Sequence, residues 1–128
     1  MAYLTRQKLV LGAVFDRAER PLTATEVCKQ AQEEIPSIGI ATVYRAIKQF
    51  VSEGLVRAVE IPGAAPHYES AAQNHHHFFM CQQCKRLFQL IGCVQGLRGL
   101  APNGFLVQQH EIVLYGACAS CASKGEQK

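Results

Sequence analysis

The sequence predicts an α+β protein in two parts: a three-helix module ending in a hairpin over residues 1–66, then a small α/β module over residues 67–128. Three observations carry this. Apolar residues recur at helical spacing before position 50 and give way to short branched and aromatic runs after it. Pro62-Gly63-Ala64-Ala65-Pro66 reads as a turn or linker between the parts. The chemistry also divides there. Arg6, Lys8, Arg17, Arg20, Lys29, Arg45, Lys48 and Arg57 lie in the first half, whereas all 5 histidines and all but one of the 6 cysteines lie after position 66.

Leu9, Val10, Ala13 and Val14 predict a first amphipathic helix over about Arg6 to Arg17. Thr23-Ala24-Thr25-Glu26 matches a capping box, in which Thr23 caps the helix start and Glu26 reaches back. The second helix carries Val27 and Ala31 inward and stops before Pro36. The third begins near Ile40, buries Val43, Ile47 and Phe50, and ends at Gly54, a residue suited to the left-handed position past a helix. Leu55 to Ile61, the Pro-Gly turn and His67-Tyr68-Glu69 read as a β-hairpin. Further on, Phe78 to Met80 and Leu87 to Leu90 read as short strands and Cys93 to Leu100 as a short helix. Phe105 to Tyr115 is a long β-rich run, and Ser123 to Lys128 is a frayed polar tail.

Three helices and a hairpin is the order of a winged helix-turn-helix, whose third helix enters the DNA major groove. Thr42, Tyr44, Arg45 and Lys48 are then the candidates at base edges or phosphates, with Lys8 and Arg57 nearer the backbone. A net charge of +3 permits a nucleic-acid partner without requiring one. Met1 to Arg6 lacks the apolar core and cleavage site of a secretion signal, and no apolar run reaches membrane-spanning length. A cytoplasmic setting with no membrane partner is expected.

In that setting thiols stay reduced, and cysteine clusters serve metal or redox chemistry. Cys81-Gln82-Gln83-Cys84 and Cys118-Ala119-Ser120-Cys121 are two C-x-x-C knuckles, and together they supply the four thiolates of a closed tetrahedral zinc site. Disulfides or buried free thiols are the bland alternative. Cys28 and Cys93 stand outside the knuckles and read as core thiols, with Cys93 also open to use as a soft ligand.

Three stretches together resemble the ferric uptake regulator family, metal-sensing bacterial transcription repressors. They are Ile40-Ala41-Thr42-Val43-Tyr44-Arg45, the His75-His76-His77 run before Cys81, and His110-Glu111-Ile112-Val113-Leu114-Tyr115-Gly116 before Cys118. The resemblance spans about Leu4 to Cys121. It implies a winged helix, an α/β dimerisation domain, a structural zinc and a second, exchangeable metal site that controls DNA binding. Exposed strand edges also suit a symmetric dimer, which would present two recognition helices to a palindromic operator.

Glu69 and His76 match a glutamate and a histidine of the family's sensory site. His67, two before Glu69 on a strand, shares its face and is the third candidate. His75, His77 and His110 match an additional site found in some members. Nitrogen and oxygen donors suit zinc, iron(II), manganese or nickel alike. The chain departs from the family's pattern at Phe78, where a sensory histidine is common, at Gln89, where a carboxylate is common, and at Arg20-Pro21, where iron sensors often offer a histidine. The missing histidine of the amino half tilts the expectation toward zinc. The leading reading is a repressor with metal as corepressor, and not an enzyme. A peroxide sensor of the same family, a metal-dependent hydrolase and a thiol-redox protein are the alternatives.

Overall fold

The computed structural model describes residues 2–72, 77–92 and 96–126. His75, His76 and Cys93 lie outside the described residues. The chain forms two compact units, Met1–Asn74 and His75–Lys128.

The first unit opens with helix α1, Ala2–Arg17. Its buried stripe is Gln7, Val10, Leu11, Val14 and Phe15, the i, i+3, i+4, i+7 pattern of a helix face. This shifts the expected face: Leu9 is 70% exposed and Ala13 also faces solvent, because a stripe through them would have excluded the larger Leu11 and Phe15. A two-residue strand β1, Leu22–Thr23, leads into α2, Ala24–Ala31. The capping box forms as expected, with the Glu26 amide donating to Thr23 Oγ1 at 3.2 Å and the Thr23 amide donating to Glu26 Oε1 at 3.1 Å.

Helix α3, Ile40–Ser52, buries Val43, Ile47 and Phe50. It ends in a Schellman motif: Gly54 has φ of 77°, its N–H bonds to Val51, and Leu55 N–H bonds to Phe50. Phe50 meets Phe15 edge-on with centroids 6.4 Å apart, locking α3 to α1. The core is completed by Leu22, Val27, Cys28, Ala31, Ile35, Ile38 and Val56, so Cys28 is the core thiol expected.

Strands β2, Val56–Val59, and β3, His67–Ser70, form the hairpin. The Pro62-Gly63 turn closes with an Ala64 N–H to Ile61 O bond, and Gly63 takes φ of 80°, as a type II turn demands. β3 is central in the sheet order β1-β3-β2. Because both its neighbours belong to the first unit, the division falls at Asn74/His75 and not at Pro66/His67.

The second unit is a sheet of order β5-β4-β6, built from β4 at His77–Cys81, β5 at Leu87–Leu90 and β6 at Val113–Gly116. β4 pairs antiparallel with β5 and parallel with β6. The expected long β-run from Phe105 shortens to β6. Phe105 and Leu106 are 71% and 81% exposed, and no described strand of this chain offers that stretch a ladder. Of the helix expected over Cys93 to Leu100, residues 93–95 lie outside the described residues and Leu97–Leu100 forms a 3-10 turn. Of the tail expected to fray, Ser123 to Glu126 are helical and residues 127–128 lie outside the described residues. Helix α4 runs Ala119–Glu126, starting between the cysteines of the second knuckle. No described helix is long and apolar enough to cross a membrane.

Candidate metal centres and nucleic-acid interface

The antiparallel pairing of β4 with β5 puts Cys81 at a strand end and Cys84 in the tight turn that follows. That turn is closed by the Lys85 N–H to Cys81 O and Cys81 N–H to Arg86 O bonds, with Lys85 held at φ of 64°. Parallel pairing of β6 with β4 sets Gly116 beside Cys81 and delivers Cys118 and Cys121 to the same end of the sheet. A side chain at Gly116 would crowd the Phe79 ring, from which a Cβ would stand 3.2 Å.

The four sulfurs of Cys81, Cys84, Cys118 and Cys121 lie within 4.8 Å of one another, and Cys84 Sγ is 3.9 Å from Cys118 Sγ. Tetrahedral zinc with bonds of about 2.3 Å needs sulfurs about 3.8 Å apart, so the donor set fits the ion. The backbone N–H groups of Cys84 and Cys118 each donate to Cys81 Sγ at 3.4 Å. These bonds stabilise a thiolate and draw the Cys81 thiol pKa down to about 6. Cys121 moves the other way, to about 12, chiefly because it hydrogen-bonds to Cys118 in its protonated form. Cys81 and Cys121 thus shift in opposite directions within one cluster. All five described cysteines are free thiols, which sets aside the disulfide alternative for them.

His67 and Glu69 share the buried face of β3, as the strand period requires. His67 Nδ1 lies 2.8 Å from the carbonyl of Ala65. A carbonyl only accepts, so Nδ1 carries the proton and Nε2 holds the lone pair in the neutral ring. This is the arrangement in which a histidine ligates metal through Nε2 while its other nitrogen is anchored to the backbone. Glu69 Oε1 accepts from Arg57 Nε at 2.8 Å, a pairing the sequence reading missed by assigning the two residues to different tasks. The signal was available, since a hairpin folding about Pro62-Gly63 sets Arg57 against Glu69.

His77 shows the opposite tautomer. Its Nδ1 accepts the Ile112 N–H at 3.1 Å, which leaves the neutral ring's proton on Nε2. His77 is buried and its ring lies 4.9 Å from that of His110 at 34°. The fold therefore brings these two candidates together, yet holds His77 as a hydrogen-bond acceptor that ties β4 to the approach to β6. Among the described residues, the four cysteines are the one group of three or more potential ligands that converge. Phe78 and Gln89 face each other across β4 and β5, so two of the departures from the family's sensory pattern are one cross-strand pair.

On α3 the sides separate cleanly. Val43, Ile47 and Phe50 are buried; Tyr44, Arg45 and Lys48 are exposed and Thr42 is half-buried. Arg45 reaches Thr42 Oγ1 at 3.3 Å. Lys8 is exposed on α1, whereas Arg57 is partly engaged by Glu69.

A sequence model described as the ferric uptake regulator family matches residues 2–115. The chain is 27% identical over 128 residues to the ferric uptake regulation protein of Neisseria gonorrhoeae, covering 97% of this chain and 89% of that protein. It is 28% identical over 106 residues to the peroxide operon regulator of Bacillus subtilis, covering 80% of this chain and 72% of that protein. Its fold matches a zinc-bound manganese uptake regulator with a TM-score of 0.76 at 20% identity, over 88% of this chain and 87% of that one. Relatives named for iron, peroxide and manganese resemble the chain to similar degrees, so likeness alone does not select its metal. What likeness does select is the common frame, matched continuously from α1 into β6: the chain belongs to the ferric uptake regulator family, whose members are metal-responsive transcription regulators and not enzymes.

Proposed function

We propose that this chain represses transcription of metal-homeostasis genes by binding a palindromic operator as a homodimer, with a divalent metal as corepressor. The observation that carries the reading is α3. Its apolar side is buried in the first unit while Tyr44, Arg45 and Lys48 stand exposed together, as a groove-reading helix requires. Structural zinc belongs to Cys81, Cys84, Cys118 and Cys121. The regulatory metal belongs to His67 and Glu69, with His76 as the further ligand. The tautomer of His67 supports its part in this. The orientation of His77 weighs against a site built on His75, His77 and His110. Zinc is the first metal to test, with iron(II), manganese and nickel beside it.

The mechanism is linkage. A metal that binds better to the conformation able to grip the operator raises DNA affinity by the factor by which DNA raises metal affinity. The test is selection of bound sequences from a random duplex pool, followed by titration of the selected duplex with each metal. One metal is expected to tighten binding by about 5–150-fold, the usual range of such coupling, and the selected sequence to be palindromic. Enrichment of no sequence with any metal would sink the proposal.

A further inference from the structure

Arg57 on β2 and Glu69 on β3 are directly opposed, and Arg57 Nε donates to Glu69 Oε1 at 2.8 Å. The pair is lopsided: the Glu69 side chain is 3% exposed, that of Arg57 42%. A carboxylate so deeply buried requires a positive partner, because leaving its charge uncompensated is costly. The partner, by contrast, is a long side chain that is partly in water, on the strand that directly follows α3. Glu69 also shares its strand face with His67, whose Nε2 lone pair suits a cation. A divalent ion arriving there offers Glu69 a stronger positive partner. It also repels the guanidinium, since two cations cannot share one carboxylate at close range without mutual repulsion.

We propose that Arg57 and Glu69 form a charge latch between metal and DNA: Arg57 neutralises Glu69 in the metal-free chain, and a divalent metal binding Glu69 displaces the guanidinium, freeing it for the phosphate backbone. The latch rests on the reading of Glu69 as a regulatory ligand given above. It assigns Arg57 two linked roles. Arg57 competes with the metal and so sets the concentration at which the protein responds. Once displaced, it adds a phosphate contact that exists only in the metal-bound state.

The test uses the full chain with its four-cysteine zinc retained. Zinc, iron(II), manganese(II) and nickel(II) are each titrated alone, with second-equivalent binding read by calorimetry. Affinity for the selected duplex is read across a salt series with and without metal. In Arg57→Gln, the second equivalent is expected to bind about fivefold more tightly, the upper range for losing one partly exposed ion pair as competitor. With metal bound, its salt slope should fall by about one, the signature of one lost phosphate contact, while the metal-free slope stays that of the parent. Glu69→Gln should do the reverse: no second equivalent, and a metal-free slope steeper by about one. Because Arg57→Gln leaves Glu69 buried without its guanidinium and is at risk of misfolding, the double variant removes both charges; its metal-free slope should fall about one below that of Glu69→Gln. Parent-like metal affinity and salt slopes in Arg57→Gln, or equal slopes in Glu69→Gln and the double variant, overturn the latch while leaving a metal-responsive parent intact. A Glu69→Gln protein that keeps the second equivalent and the full metal response overturns the latch together with the assignment of Glu69.

Discussion

Three arginines of the first unit show how one residue type is put to different uses. Arg20 donates to Glu26 at 2.6 Å and braces the start of α2. Arg57 closes over Glu69. Arg45, exposed on α3, meets no carboxylate among the described residues and reaches the Thr42 hydroxyl. Truncating it therefore removes little that the fold depends on. Arg45→Ala is expected to keep its zinc content and melting temperature, yet lose about 1–3 kcal/mol of operator affinity if its fork grips a base edge. Loss confined to the salt-dependent part, equal for operator and random duplex, would reassign it to phosphate. The two buried histidines among the described residues divide in the same way. His67 and His77 are the same side chain, but a carbonyl acceptor fixes the proton of one on Nδ1 and an amide donor fixes that of the other on Nε2. Sequence alone is blind to this difference, because the tautomer is set by backbone groups that approach only in the folded chain.

At the scale of elements, α2 depends most visibly on its first turn. Thr23 and Glu26 satisfy each other's amides, and Arg20 adds an ion pair. Burial alone would raise the Glu26 pKa, but the Arg20 hydrogen bond, the Thr23 amide and the Arg20 charge together outweigh it and hold it below the ordinary 4.5. A carboxylate with a lowered folded pKa stabilises the fold fully above its unfolded value, and that contribution is lost as pH falls through the folded value. Glu26→Gln should accordingly lower the melting temperature at neutral pH and converge on the parent only as the pH falls through the lowered folded pKa of Glu26, below the ordinary 4.5, where both side chains become uncharged. A gap that persists unchanged in acid would show that shape, not charge, is at stake. Thr23→Ala should cost about 1 kcal/mol at any pH, read by urea unfolding. This turn was legible in the sequence because a capping box is local: four consecutive residues contain the whole interaction. The end of α3 at Gly54 and the Pro62-Gly63 turn were legible for the same reason. The short β6, the two-residue β1 and helix α4 were not. β1 and β6 exist only because distant strands offer them ladders, and α4 begins inside a knuckle whose spacing drew the reading toward metal and away from helix.

For the whole molecule, the separation into two units means that a zinc held by the four cysteines would act within the second unit, with a consequence that can be localised. In the second unit β4 and β6 are parallel neighbours, so the chain must travel from one to the other through a long crossover. Between β5 and β6 the described residues hold only the 3-10 turn as regular structure, and Ile91, Leu100, Phe105 and Leu106 are exposed. Among the described residues, little apolar burial therefore binds that crossover, and the second unit's buried set is Met80, Cys81 and Leu87, with His77. The first unit has its own core of three helices and a sheet, with no cysteine knuckle in it. A zinc ion on the four cysteines would join the β4–β5 turn to the segment after β6, 34 residues apart at Cys84 and Cys118. Apparent binding energies of about 10–16 kcal/mol for structural zinc in small peptides make that bond comparable to the stability of a whole domain. Cys81→Ser removes the sulfur that both knuckles' amides point at, and it should release about one zinc per chain. Amide exchange should then accelerate throughout β4, β5 and β6 while α2, α3 and the β2–β3 hairpin keep their protection, because opening is expected unit by unit. Zinc content by mass spectrometry under native conditions and residue-resolved hydrogen exchange read the two effects separately. A serine variant with full zinc would remove Cys81 from the ligand set. Zinc loss with equal deprotection of both units would mean that the first unit's core does not stand without the second.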